Sequence, residues 1–206
     1  MKQIAFTLLV ILSLALIQGC DKKPERMDDF LAEFATVIKQ GDTYRFKLDN
    51  GKVLSPIEVK DFHGSDGDRV ILYWTPLNGD KIEIKNITPV FSGDVLFEGY
   101  PENYKNDPLK IISVWVEGDY LNLILEIEYH STPHTIALYK DTSTEGTDLY
   151  LSHSMNNDPP GYFQIMYASF RLSKLKSLNE TEVPFRLFIY SNKELRQFNF
   201  TLVGAG

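Results

Sequence analysis

The chain has 206 residues, 43% of them hydrophobic and 13% aromatic, enough apolar surface to bury one or two real cores. A formal net charge of −7 argues against nucleic acid as a partner, since that recognition depends on Lys and Arg neutralising phosphate, and against electrostatic adhesion to anionic lipid. With a single cysteine no intrachain disulfide can form, so each core must be stable on packing alone.

That cysteine closes an apolar leader. Met1-Lys2-Gln3 supplies one positive charge, and Ile4 to Ile17 carries none. The run reads as a signal-peptide hydrophobic region, shorter than the about 20 apolar residues that span a bilayer. Ile17-Gln18-Gly19-Cys20 resembles a bacterial lipobox, which implies removal of residues 1–19 and acylation of Cys20. Gln18 departs from the small or hydroxylated residue usual at its position. Two or three acyl chains, each methylene contributing about 0.8 kcal/mol, would keep the protein on its membrane. Residues 20–29 are then lipidated cysteine and polar tether, whose nine extended residues reach about 30 Å.

Phe30 to Gln40 fits two templates. At helical spacing Phe30, Leu31, Phe34, Val37 and Ile38 share a face; as a strand, Ala32, Phe34, Thr36 and Ile38 do. The turn Gly41-Asp42 and the alternation Thr43-Tyr44-Arg45-Phe46-Lys47-Leu48 favour a strand, because sequential strands usually pair. Asp49-Asn50-Gly51 predicts a type I′ hairpin. Short strands follow at Lys52 to Leu54, Arg69 to Trp74 and Lys81 to Ile87, and Val90-Phe91 closes the segment. Five short strands joined by tight turns predict a small OB-like barrel over residues 30–98.

Gly99 to Pro108, rich in turn formers, marks a hinge over residues 99–108. Beyond it the expected strands are Leu109 to Val116, Tyr120 to Tyr129, His134 to Lys140, Thr147 to His153, Tyr162 to Arg171, Val183 to Ser191 and Phe198 to Val203. Their spacing predicts a β-sandwich over residues 109–206. Within Tyr120 to Tyr129 the odd positions Leu121, Leu123, Leu125 and Ile127 face a core, while Asn122, Glu126 and Glu128 face water. Ser173 to Leu178 is the one expected helical turn.

No catalytic or metal constellation stands out, and no cofactor is expected. His130 and His134 stand four apart, but Pro133 forbids the helix that would make this a ligand spacing, so both read as exposed hairpin imidazoles. Ser152, His153 and Ser154 are adjacent on a strand and point to alternate faces, and no sharp nucleophile turn is present. Asn156 and Asp158 suit local hydrogen bonding at a strand exit. Asp61, Asp66 and Asp68 lack the alternating oxygens and closing Glu of a calcium loop. The remaining signal is aromatic: Tyr100 and Tyr104 flank the hinge, and Tyr73, Trp74 and Tyr129 lie near strand ends, where exposed Tyr and Trp anchor protein or glycan partners.

Tyr44 to Gly51, Gly67-Asp68-Arg69-Val70, Asp107 to Trp115, Tyr120-Leu121-Asn122-Leu123, Leu151-Ser152-His153 with Asn156 and Asp158, and Ser169 to Ser173, behind a lipobox, resemble the NigD-like lipoproteins. The resemblance covers nearly the whole mature chain. It implies an all-β protein with an N-terminal OB-like barrel and a C-terminal Ig-like β-sandwich. It further implies a lipid anchor in a Gram-negative envelope, at the outer membrane, and a bacteriocin-immunity association without a residue-level mechanism. The expected function is therefore non-enzymatic recognition of a protein or polysaccharide, with the membrane engaged through acyl groups on Cys20. A structural or assembly role beside a nutrient-uptake system is the alternative, and a hydrolase the third.

Overall fold

Apolar and polar residues alternate between tight turns over residues 31–89, and that pattern folds into β1 (Leu31–Gln40), β2 (Thr43–Leu48), β3 (Val53–Pro56), β4 (Arg69–Pro76) and β5 (Lys81–Pro89). The computed structural model describes residues 30–176 and 181–203, so the leader, Cys20 and the tether lie outside the described residues. The five strands close a barrel in the order β1-β2-β3-β5-β4. β1 is a strand because it has two partners: Ala35 to Gln40 pair with β2, and Leu31 to Thr36 pair with β4. Ala35, Val37, Phe46, Leu54, Leu72, Trp74 and Ile82 fill the interior.

The β2–β3 turn differs from the expected type I′ hairpin. Gly51 has φ +89°, but Asn50 is not among the residues with positive φ, which type I′ also requires. Gly51 N–H donates to the Leu48 carbonyl at 2.9 Å and Leu48 N–H to the Lys52 carbonyl at 2.8 Å, closing a three-residue loop, Asp49-Asn50-Gly51. The longer loop turns Asp49 towards β4.

The second unit comprises β6 (Phe91–Leu96), β7 (Lys110–Glu117), β8 (Tyr120–Tyr129), β9 (Thr135–Asp141), β10 (Asp148–Ser154), β11 (Tyr162–Arg171), β12 (Glu182–Ser191) and β13 (Glu194–Val203), with a 3-10 helix at Ser173–Leu175. These eight strands form one sheet, ordered β13-β12-β10-β9-β6-β11-β8-β7. The sheet curls on itself so that Leu121, Leu123, Leu125 and Phe170 of one half share a core with Leu138, Leu149, Leu187 and Ile189 of the other. Burying such a side chain contributes about 1.5–3 kcal/mol, and here burial stands in for absent disulfides.

The strand that joins the two halves is β6, parallel to both β11 and β9. It falls within the residues expected to belong to the barrel, so the chain passes to the second sheet before Phe91. Its short sequence, interrupted by Ser92, Gly93 and Asp94, has no local partner, which is why a reading of adjacent hairpins misses it. The 99–108 segment is held against β10: Lys105 N–H donates to Ser152 Oγ at 2.9 Å, Asp107 N–H to the His153 carbonyl at 3.0 Å, and His153 N–H to the Lys105 carbonyl at 3.0 Å.

Gly118, in the β7–β8 turn, has φ +56°, and a Cβ there would lie 2.5 Å from the Asp49 carbonyl oxygen of the barrel. Gly118→Ala should therefore lower stability by more than the about 1–2 kcal/mol of a left-handed alanine alone, because the two units must also move apart. Denaturant titration against an alanine placed at exposed Gly41, which has φ +60° and open space around it, is the comparison.

Candidate functional site in the cleft between barrel and sandwich

Arg69 holds the two units together. Its side chain is 1% exposed, and its partner Asp49 is 2% exposed. The guanidinium binds Asp49 bidentately, Nη1 to Oδ1 at 2.6 Å and Nη2 to Oδ2 at 2.8 Å. It also donates to Thr36 Oγ1 at 3.0 Å, Asn122 Oδ1 at 3.2 Å and Ser169 Oγ at 3.1 Å. An arginine has five N–H donors, and all five are used. Asn122 completes the network, donating to Asp49 Oδ2 at 2.8 Å, and the Tyr120 ring stacks 3.8 Å from the guanidinium carbon. Asn122 is 0% exposed, so it does not face water as its alternation with Leu121 and Leu123 suggests: its side of β8 is covered by the barrel.

Beside this network the seam opens into a cleft of about 300 Å³ lined by Phe34, Tyr73, Trp115, Ile124, Tyr167 and Glu33. Phe34 meets Trp115 edge-on at 5.2 Å and Tyr167 at 6.4 Å. Burial, with Tyr73 alongside, pushes the Tyr167 hydroxyl above its ordinary range, so the cleft wall is neutral there. A larger groove, about 470 Å³, runs over β12 and β13, but its charges already match, with Arg186 bidentate on Asp148 at 2.6 Å.

The cleft continues along β11. Register places Tyr167 opposite Ile124, Ile165 opposite Glu126 and Phe163 opposite Glu128, all on the sheet face that the barrel covers further up. Here that face is bare: Phe163 is 72% exposed and Ile165 47%. Phe30, at the mouth, packs against Tyr73 at 5.9 Å.

Of the aromatic residues expected to bind, only Tyr73 lies in this cleft. Trp74 is 3% exposed; one residue along β4 from Tyr73, it points into the barrel and donates Nε1–H to Glu33 at 3.1 Å. Tyr100 stacks on Tyr150 at 4.4 Å and meets Tyr104 edge-on, so both spend their faces on neighbours. Tyr129 packs against His134 at 5.7 Å. Trp115, Tyr167, Ile165 and Phe163 were missed; the alternation of Phe163, Ile165 and Tyr167 was visible, but only the barrel's footprint shows which face stays open.

The histidines form a second buried cluster. His134 is not an exposed hairpin imidazole: its side chain is 2% exposed and Asp158 is 0%. His153 Nδ1 meets the Asp107 carbonyl at 3.0 Å and must carry a proton to donate, so its Nε2 accepts from His134 Nδ1 at 3.0 Å. His134 Nε2 then stands 3.4 Å from Asp158 Oδ2 without a hydrogen bond. Asp158 itself accepts from the backbone N–H groups of His130, Ser131 and Thr132, and Asn156 donates to the Pro133 carbonyl, the local bonding expected of this pair. Burial raises the Asp158 carboxyl, but the three backbone donors outweigh it and hold the group well below the carboxylate range. Burial lowers His153.

Both shifts predict loss of stability in acid. His153 is held neutral in the fold, so unfolding takes up a proton once pH falls below its ordinary 6.5. Asp158 adds a second loss below its ordinary 3.8. Thermal unfolding should show a midpoint declining from about pH 6.5 downwards, and His153→Gln should flatten the first step only.

Among the described residues no three His, Cys, Asp or Glu side chains gather as a metal-binding group. Asp66 and Asp68 instead accept the backbone N–H groups of Lys39 and Ser65. No helix among the described residues is long and apolar enough to cross a membrane. Fold and site thus define a two-unit all-β protein with a closed barrel locked onto a β-sandwich and an apolar cleft at the seam.

Residues 95–202 match the NigD-like C-terminal β-sandwich domain, and the chain belongs to the NigD-like family. Solved structures share the architecture. A protein of Parabacteroides distasonis described as toxin-related has a TM-score of 0.75 at 21% identity, over 85% of this chain and 94% of that one. A NigD-like immunity protein of Bacteroides caccae has a TM-score of 0.68 at 19% identity, over 85% and 97%. A protein of Bacteroides fragilis described as a lipoprotein has a TM-score of 0.61 at 11% identity, over 85% and 98%. No curated protein matches the chain.

Proposed function

We propose that the protein is a lipid-anchored envelope protein of immunity type that acts by recognition rather than catalysis. The observation that carries this reading is the aromatic cleft, which is open and apolar while the buried polar clusters around it are occupied with holding the fold. Ser152 Oγ accepts from Lys105 N–H, and both ring nitrogens of His153 are taken up by Asp107 and His134, so neither is placed as a nucleophile or base for a ligand. The immunity protein and the lipoprotein among the structural neighbours support the role and the anchor, the latter through Cys20 in the outer membrane of a Gram-negative cell.

The test is a deletion strain challenged with bacteriocins of neighbouring strains. Sensitivity should rise on deletion, return to parental on complementation, and stay raised with Cys20→Ser, which removes the anchor. Unchanged sensitivity of the deletion strain to every such bacteriocin overturns the role.

A further inference from the structure

The outer face of β8 and β11 is half covered. From the β7–β8 turn downwards its rows are Arg171 with Tyr120, Ser169 with Asn122, Tyr167 with Ile124, Ile165 with Glu126 and Phe163 with Glu128. The barrel packs on the first three rows through Arg69 and Phe34. The last two rows, beside the bulged residue Ile112 of β7, keep apolar side chains open to solvent, Phe163 at 72% exposure and Ile165 at 47%. A solvated sheet face ordinarily alternates to polar residues, so Phe163 and Ile165 here call for a partner.

The charges around the strip say what that partner carries. Cleft and strip hold Glu33, Glu117, Glu126 and Glu128, while Asp49 is neutralised by Arg69. Against these stands Lys110, paired with Glu126 at 3.0 Å. An apolar floor edged with carboxylates complements a chain that interleaves Lys or Arg with aliphatic side chains. It repels an anionic lipid surface, although Phe30 lies at the same mouth.

We propose that the strip Phe163–Ile165–Tyr167–Ile124, with the cleft at its end, docks a cationic amphipathic peptide segment of a partner protein. This rests on the recognition reading above and names its surface and its partner chemistry. Apolar side chains of the segment occupy the cleft and the floor, and its cations reach Glu117 and Glu128, Glu126 being already paired with Lys110.

Trp115 lines the cleft and reports occupancy by fluorescence. The protein in phosphatidylcholine nanodiscs is titrated with an extended peptide alternating lysine and leucine, and with its glutamate–leucine counterpart. The lysine peptide should shift Trp115 emission and bind at least about tenfold more tightly. About 0.5 M salt should weaken it, since screening shortens to a few Å. Phe163→Ser with Ile165→Ser, both at exposed positions, should weaken it about tenfold while circular dichroism stays parental. Glu117→Gln with Glu128→Gln should weaken the lysine peptide and not its counterpart. Equal binding of the two peptides, or parental binding by the serine variant, overturns the proposal. Quenching of Trp115 by brominated lipid in the absence of peptide also overturns it, in favour of a membrane-facing strip. The serine variant is also used to complement the deletion strain: lost peptide binding with full protection removes this surface from the immunity role and leaves that role standing, whereas a deletion strain of unchanged sensitivity removes the role itself.

Discussion

Arg69→Ala is expected to lower folding stability by about 3–5 kcal/mol, because it leaves Asp49 as a buried carboxylate without its cation. Asp49, whose side chain is 2% exposed, would retain one side-chain hydrogen bond, from Asn122. Asp49→Ala should cost somewhat less, since the delocalised guanidinium would keep its acceptors on Thr36, Asn122 and Ser169 and the Tyr120 ring beside it. The double replacement Arg69→Met with Asp49→Leu should recover part of the loss, as buried pairs exchanged for apolar groups of similar volume are often neutral. Guanidinium titrations of the four proteins measure these losses, and Arg69→Ala with Asp49→Ala closes the double-mutant cycle that gives the coupling. Because Arg69 belongs to the barrel and Asn122 and Ser169 to the sandwich, the parent should unfold in one transition and Arg69→Ala in two. A change under about 1 kcal/mol in Arg69→Ala would show that the seam is held by apolar contacts instead.

Two phenylalanines of one strand give the second prediction. Phe170 is 1% exposed, packs on Phe91 at 5.9 Å, and lies close under the backbone of Gly93 in β6. Phe170→Ala should cost about 3–5 kcal/mol and loosen the strand that joins the two halves of the sheet. Phe163→Ala, at 72% exposure, should fall within about 0.5 kcal/mol of parent. Thermal unfolding and hydrogen exchange along β6 measure both. Comparable losses at the two positions would mean that Phe163 already has an intramolecular partner.

Much of the fold was legible because its determinants are local. Alternation in Thr43 to Leu48 and Tyr120 to Tyr129, punctuated by Gly41-Asp42 and Gly118-Asp119, specifies strand and turn within a few residues, and twelve of the thirteen strands lie where such patterns fall. The ambiguity at Phe30 to Gln40 was real, since both periodicities fit, and it was resolved by a distant partner, β4, on the strand's second edge. β6 was illegible for the same reason: it pairs in parallel with strands that lie far along the chain and with none beside it.

The family motifs show the same division. Asp49, Arg69, Asn122 and Ser169 sit in four separate stretches that carry the resemblance, and they converge on one hydrogen-bonded network. Asp107, His153 and Asp158 converge on another. Sequence alone presented them as polar residues in exposed turns and strands, because burial depends on what covers a face and not on the residue beneath it.

By itself, then, the sequence determined the all-β character, the turns, the single cysteine without a disulfide partner, the acidity and the family, all of which follow from composition or from neighbours in the chain. Tertiary structure decided where the barrel sits on the sheet. That placement buries Asn122, turns Trp74 inward, gathers Phe34, Tyr73, Trp115 and Tyr167 into a cleft, and leaves Phe163 and Ile165 open. The physical reason is that a strand's alternation defines two faces but not which of them will be covered, and that choice is made by contacts between residues as far apart as Arg69 and Ser169.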